Sequence, residues 1–161
     1  MEEKEIKIQY KQYDSVGELS DVDVELINLV DDNLKNAYAP YSNFQVSSVC
    51  VLDNGKLVFG TNQENAAYPS GLCAERVAIF SAKSNYPEQK VQKIVITTAA
   101  SSDNPFSPCG GCRQVLMEYE QAQNQPIEVI LKSGNSKIWK FSSVADLLPF
   151  AFSGGSILKK A

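Results

Sequence analysis

The sequence contains no histidine. That absence excludes Ser-His-Asp and Cys-His catalysis, and it removes the commonest metal ligand. Basic residues are also short: 15 Lys and Arg stand against 19 Asp and Glu, for a net charge of −4. With no basic stripe, binding along a nucleic-acid backbone is disfavoured. No apolar run approaches the roughly 18 residues needed to span a bilayer. The start, MEEKEIKIQY, has no apolar core of the kind a secretory signal needs. These absences predict a cytoplasmic protein with neither membrane nor nucleic acid as partner.

Cysteines are few, at four. In a reducing compartment they serve as metal ligands or buried apolar residues more readily than as disulfides. The 161 residues are 43% hydrophobic and 21% charged, enough for one domain with its own core.

The periodicity predicts a run of alternating elements. Residues 1–19 are polar, with a short alternation at Ile6, Ile8 and Tyr10 that suits an added edge strand or a loosely held arm. Ser20 reads as an N-cap, with Asp21 and Asp23 complementing the helix dipole. Leu26, Ile27, Val30, Leu34 and Ala37 recur at helical spacing over 21–37, and Pro40 follows. The acidic side of this helix reads as a solvated face. Phe44 to Leu52 and Lys56 to Thr61 form a hairpin about Asp53-Asn54-Gly55. A loop over 62–72 precedes a helix from Cys73 to about Ser84. Val91 to Ala99 is a β-branched strand, and a second loop leads to a helix from Cys109 to about Gln123. Ile127 to Lys132 and Lys137 to Phe141 make a second hairpin. A short helix capped by Ser142 or Ser143 runs through Leu148. This order predicts an α/β protein in three layers, α/β/α, around a five-stranded mixed sheet. Residues 20–161 form one domain behind the 1–19 segment.

Chemistry concentrates at two loop-to-helix junctions, Cys73-Ala74-Glu75 and Pro108-Cys109-Gly110-Gly111-Cys112. A Cys-x-x-Cys pair on a first helical turn can aim both sulfurs at one ion, and Cys73 can supply a third. Three protein ligands with one open position is the pattern of a catalytic zinc, whereas structural zinc is usually closed by four. Helix N-termini favour the thiolate forms. Three thiolates load the metal with negative charge, and Arg76 is placed to draw some of it off. Glu75, two residues from a ligand, can reach a water on the metal without ligating and act as the proton carrier. The Cys109/Cys112 pair alone is also compatible with a thiol redox centre, and the trio with a metal used only for folding. Cys50, in an apolar strand, reads as core. Trp139 and its aromatic neighbours read as packing.

C-x-E followed by P-C-x-x-C is the signature of zinc deaminases, with Cys in place of His as first ligand. AYAPYSNF ending at Phe44, NQENAAY at 62–68, CAERVAI at 73–79, PCGGCRQVL at 108–116 and LLPFAF at 147–152 occur in order from about residue 20 to 153. Together they resemble the cytidine deaminase family, specifically its three-cysteine, homotetrameric branch. The resemblance implies one Zn2+ per subunit on Cys73, Cys109 and Cys112, with Glu75 as catalytic acid and base. It further implies that the Ala74 backbone contacts the cytosine amide edge, that Phe44 packs against the base, and that Asn62 and Glu64 bind ribose hydroxyls. Tyr68 would lie near a subunit contact and Phe152 would reach into a neighbour's site. The implied reaction is hydrolysis of cytidine and 2′-deoxycytidine to uridine and 2′-deoxyuridine with release of ammonia, a pyrimidine-salvage step. A relative acting on another aminopyrimidine, of the blasticidin S type, is the nearest alternative. The antiparallel second hairpin resembles the free-nucleoside enzymes of the superfamily. Ser47-Ser48 departs from the family's Gly-Ala, Pro69-Ser70-Gly71 from its usual loop, and Ser153-Gly154 from its Gly-Pro.

Overall fold

Strand propensity concentrates in Val46–Leu52 (β2), Leu57–Thr61 (β3), Val91–Thr98 (β4), Glu128–Ser133 (β5) and Ile138–Phe141 (β6), all present in the computed structural model, which describes residues 1–154. A sixth strand, Lys11–Tyr13 (β1), pairs antiparallel with β6. The sheet therefore has six strands in the order β1-β6-β5-β4-β2-β3, not the five expected. The extra strand is held by contacts that alternation alone does not reveal. Tyr10 packs on the rings of Trp139 and Phe141, each at 5.3 Å between centroids, and the Trp139 indole N–H donates to Gln12 at 3.1 Å.

Helix α1 spans Asp21–Asn33, capped by Ser20, whose hydroxyl accepts from the Asp23 amide. It ends short of the predicted residue 37. Leu34–Asn36 tighten into a 3-10 turn, with Asn36 bonded to Asn33 and Asn33 to Ser47. Helices α2 (Ala74–Asn85) and α3 (Gly110–Gln123) begin one residue after Cys73 and Cys109, which occupy their N-caps. The closing short helix is a 3-10 turn, Val144–Leu147, capped by Ser143.

The layers follow from alternation in β2 and β4. Val49 and Val95 point to α1 and pack with Leu26, Ile27 and Val30. Cys50, Ile94 and Ile96 point the other way and pack with Ala78, Ile79 and Leu116. Cys50 is fully buried, and burial pushes its thiol up to about 12, as a core residue requires. β4 and β5 are parallel, joined through α3, while β5 and β6 are antiparallel across the tight turn after Ser133.

One glycine sets how α2 meets the sheet. A Cβ on Gly60 of β3 would stand 2.4 Å from the Ala78 amide nitrogen and 2.5 Å from the Ala74 carbonyl oxygen. The helix backbone lies directly on the strand there, and no side chain fits between them. Ala74 and Ala78 are fully buried for the same reason.

The first helix corrects the reading of a solvated acidic face. Asp23 is 2% exposed and pairs with Lys93 and with Lys140, the latter at 2.7 Å. Glu128 bridges the same two lysines at 2.9 and 3.2 Å. Asp31 pairs with Lys132 at 2.8 Å. Both lysine partners of Asp23 come from strands far along the chain, so helical spacing could not disclose them.

Candidate active site

A cavity of about 760 Å³ opens where α2 and α3 start, beside the C-terminal end of β4. Its lining includes Phe44, Asn62, Glu64, Tyr68, Cys73, Ala74, Glu75, Arg76 and Cys109. The structure thus brings nearly every residue singled out in the sequence to one place. Phe152 does not line this cavity. It is 69% exposed, and its backbone N–H and C=O are both bonded to the Gln114 side chain.

The sulfurs of Cys73, Cys109 and Cys112 lie within 4.8 Å of one another. A tetrahedral zinc with Zn–S bonds of about 2.3 Å requires sulfurs about 3.8 Å apart, a separation compatible with that bound. The donor set fits that metal: soft sulfur ligands, two helix N-termini and an adjacent cation. The three differ in exposure, with Cys112 buried, Cys73 half-buried and Cys109 exposed. A hydrogen bond from Cys112, reinforced by Arg76, holds the Cys73 thiol down at about 5. Cys112 is pushed the opposite way because it keeps the proton that it shares with Cys73.

Arg76 Nη2 donates to Cys73 Sγ at 3.6 Å, as its place one turn into α2 suggests. Its Nε is buried without a hydrogen-bond partner among the described residues. Glu75 is 5% exposed. Burial raises its carboxyl above the usual range, and the nearby Cys73 charge adds to that. A carboxyl so placed holds a proton more readily than a solvated one, which suits a group that must both take and give protons.

Asn62, Glu64 and the segment 41–46 are stitched together. Asn62 donates from Nδ2 to the Phe44 carbonyl at 2.8 Å and accepts at Oδ1 from the Val46 amide at 2.9 Å. Glu64 is half-buried and accepts from the Tyr41 amide at 2.9 Å, the Ser42 amide at 3.3 Å and the Ser42 hydroxyl. These bonds, led by the Ser42 hydroxyl, hold its carboxyl below the usual range.

Three contributors escaped the sequence reading. Phe106 lines the cavity and meets Phe44 edge-to-face at 5.2 Å, its amide anchored on Ser133. Arg113 braces the loop before Cys109, donating to the carbonyls of Pro108 at 2.7 Å and Leu147 at 3.1 Å. Its place directly after Cys112 was the available signal. Ser42 stood in a quoted motif but carried no assigned role. Of the two departures in β2, Ser47 accepts from Asn33 at 2.9 Å, while the buried Ser48 hydroxyl has no hydrogen-bond partner among the described residues.

Comparison with known proteins places this geometry. Residues 20–125 match the family model for the cytidine and deoxycytidylate deaminase zinc-binding region. The chain is 37% identical over 118 residues to a cytidine deaminase of Halalkalibacterium halodurans, covering 73% of this chain and 84% of that protein. It is 39% identical over 119 residues to the cytidine deaminase of Sporosarcina psychrophila, covering 74% and 82%. Among solved structures it resembles the cytidine deaminase of Burkholderia pseudomallei, with a TM-score of 0.70, 37% identity and coverage of 80% and 97%. It also resembles that of Mycobacterium tuberculosis, with a TM-score of 0.63, 28% identity and coverage of 83% and 98%.

Proposed function

The chain belongs to the cytidine and deoxycytidylate deaminase family, and on that premise we propose that it hydrolyses cytidine and 2′-deoxycytidine to the corresponding uridines with release of ammonia. The observation that carries this reading is the cluster of three cysteine sulfurs within 4.8 Å beside a buried glutamate, on the wall of a cavity large enough for a nucleoside. Cys73, Cys109 and Cys112 hold Zn2+, one per subunit. Bound there, zinc would lower the pKa of water towards about 7 and so supply a nucleophile at neutral pH.

The protein's own residues then divide the work. Phe44 packs against the pyrimidine ring, and the Ala74 backbone holds its amide edge. Asn62 and Glu64 take the ribose hydroxyls. Glu75 removes a proton from the attacking water and places it on ring N3. The water oxygen bonds to C4 to give a tetrahedral adduct. Glu75 then takes the remaining proton from the C4 hydroxyl and delivers it to the exocyclic N4, so that the C4–N4 bond breaks, C4=O forms and ammonia leaves. Its buried position supports this role, since proton transfer is most effective from a group whose pKa approaches the working pH. Arg76 compensates the thiolate charge.

The exposed rings of Tyr68 and Phe152, at 78% and 69%, support a homotetramer in which neighbouring subunits cover them and complete the cavity. We place the catalytic domain at 20–161, preceded by the 1–19 extension, and the enzyme in the cytoplasm, acting in pyrimidine salvage. No helix among the described residues is long and apolar enough to cross a membrane. An ultraviolet assay on cytidine, deoxycytidine, cytosine and blasticidin S, with zinc measured on the same sample, tests the reading. Turnover of the two nucleosides with stoichiometric zinc is expected. Zinc without ammonia release from any of them would make the metal a folding element only.

A further inference from the structure

We propose that Ser42 is a positioning residue that aims the Glu64 carboxylate at the sugar and ties it to the base-packing ring of Phe44. The inference rests on the reading of Glu64 as a ribose ligand and deepens it. The Ser42 hydroxyl donates to Glu64 Oε1 and accepts from the Phe44 amide at 3.0 Å. The Ser42 amide donates to Glu64 Oε2 at 3.3 Å, where the Tyr41 amide also donates at 2.9 Å. One residue therefore grips both carboxylate oxygens and the backbone of the ring that faces the base.

Lone-pair counting shows what this grip leaves. A carboxylate accepts about four hydrogen bonds, two per oxygen. Two amides fill Oε2, while Oε1 holds the Ser42 hydroxyl and keeps one site open. The Ser42 bond thus decides which oxygen, in which direction, meets a sugar hydroxyl. Without it, Oε1 has no hydrogen-bond partner among the described residues and the carboxylate is held through Oε2 alone, so the direction in which Oε1 faces the sugar is no longer set. The Phe44 carbonyl is held from the other side by Asn62. Base wall and sugar ligand are consequently fixed as one unit spanning residues 41–46 and 62–64. Asn43 makes the link possible: it turns the chain through a left-handed conformation at φ 54° and brings Ser42 and Phe44 to the same hydroxyl.

The test compares Ser42→Ala, Ser42→Thr and Glu64→Ala on cytidine and on 2′,3′-dideoxycytidine, which lacks the 2′ and 3′ hydroxyls. Ser42→Ala is expected to lower kcat/KM on cytidine about tenfold, the scale of one charge-assisted hydrogen bond. On the dideoxy substrate its effect should stay within about twofold, and Ser42→Thr should restore the wild-type value on cytidine. Zinc content should match wild type in all three. If Ser42→Ala costs the same on both substrates, or Ser42→Thr fails to rescue, Ser42 supports only the loop and the proposal is wrong. If Glu64→Ala itself does not distinguish the two substrates, the ribose role of Glu64 fails instead, and the proposal falls with it. Glu64→Ala discriminating while Ser42→Ala does not overturns the Ser42 role alone.

Discussion

Arg76 Nη2 stands 3.6 Å from Cys73 Sγ, both on the first turn of the helix that also carries Glu75. A guanidinium donating to a thiolate removes electron density that would otherwise weaken the metal as a Lewis acid. Arg76→Gln should keep stoichiometric zinc and lower kcat on cytidine by about tenfold to a hundredfold, the range for a lost hydrogen bond to a charged group. Parallel zinc analysis and steady-state kinetics check this. Loss of zinc in step with activity would make Arg76 a folding or binding residue instead.

Glu75→Gln preserves shape and removes the proton-carrying group. Turnover of cytidine should fall by at least about a hundredfold to ten-thousandfold, with zinc content unchanged. Near-wild-type activity in an ammonia-release assay would move the proton carrier elsewhere.

Gly60→Ala would drive a methyl into the Ala74 and Ala78 backbone. Overpacking of this kind costs about 1–3 kcal/mol, and the strain pushes against the helix that presents Cys73 and Glu75. The urea midpoint should drop, and the surviving folded protein should lose activity out of proportion to its loss of stability. A variant as stable and active as wild type would show that α2 can lift from the strand without consequence.

Asp23 titration gives the fold an acid limit. Burial alone would raise its pKa, but hydrogen bonds from Lys140 and Lys93 outweigh burial and hold it below the usual value. The stabilisation is present above the unfolded pKa of about 4 and is lost as pH falls through the lower folded value. Lys140 is shifted the other way. Burial lowers it, yet the bonds to Asp23 and Glu128 raise it on balance, so its contribution is lost only as pH rises through that raised value. Asp23→Asn should cost about 3 kcal/mol at neutral pH, because it leaves two half-buried lysines on one glutamate. Urea titrations from pH 3 to 8 should show the variant with a flatter acid limb. An unchanged limb would place the acid sensitivity elsewhere.

Removing residues 1–13 takes away β1 and Tyr10 with its two ring contacts. Stability should fall by about 1–3 kcal/mol, since each aromatic pair contributes about 0.5–1.5 kcal/mol. Activity on cytidine should stay within about twofold, because none of these residues lines the cavity. Thermal melts and the cytidine assay measure both, and a loss of activity greater than the loss of stability would tie the strand to the site.

Much of the fold was legible where local signals agreed. The Ser20 cap, the Asp53-Asn54-Gly55 turn and the β-branched run at 91–98 each specify an element within a few residues. The sixth strand was legible only as an alternative, because Ile6, Ile8 and Tyr10 alternate as readily in a loose arm. The rings of Trp139 and Phe141 that receive Tyr10 lie about 130 residues away. Phe106 was missed for a similar reason: its neighbour Phe44 and its anchor Ser133 are both remote in the chain.

By itself the sequence determined the chemistry of the centre. With no histidine, thiolates are the soft ligands the chain can offer a metal, and the spacing of Cys109 and Cys112 at one helix start is a local property of the chain. Tertiary structure alone decided what surrounds those groups. It buried Glu75 and Asp23, and it pressed α2 onto Gly60. It set Ser42 across Glu64, and it left Phe152 outside the cavity. Burial, proton affinity and the aim of a carboxylate depend on atoms brought near from distant parts of the chain. No local pattern encodes them.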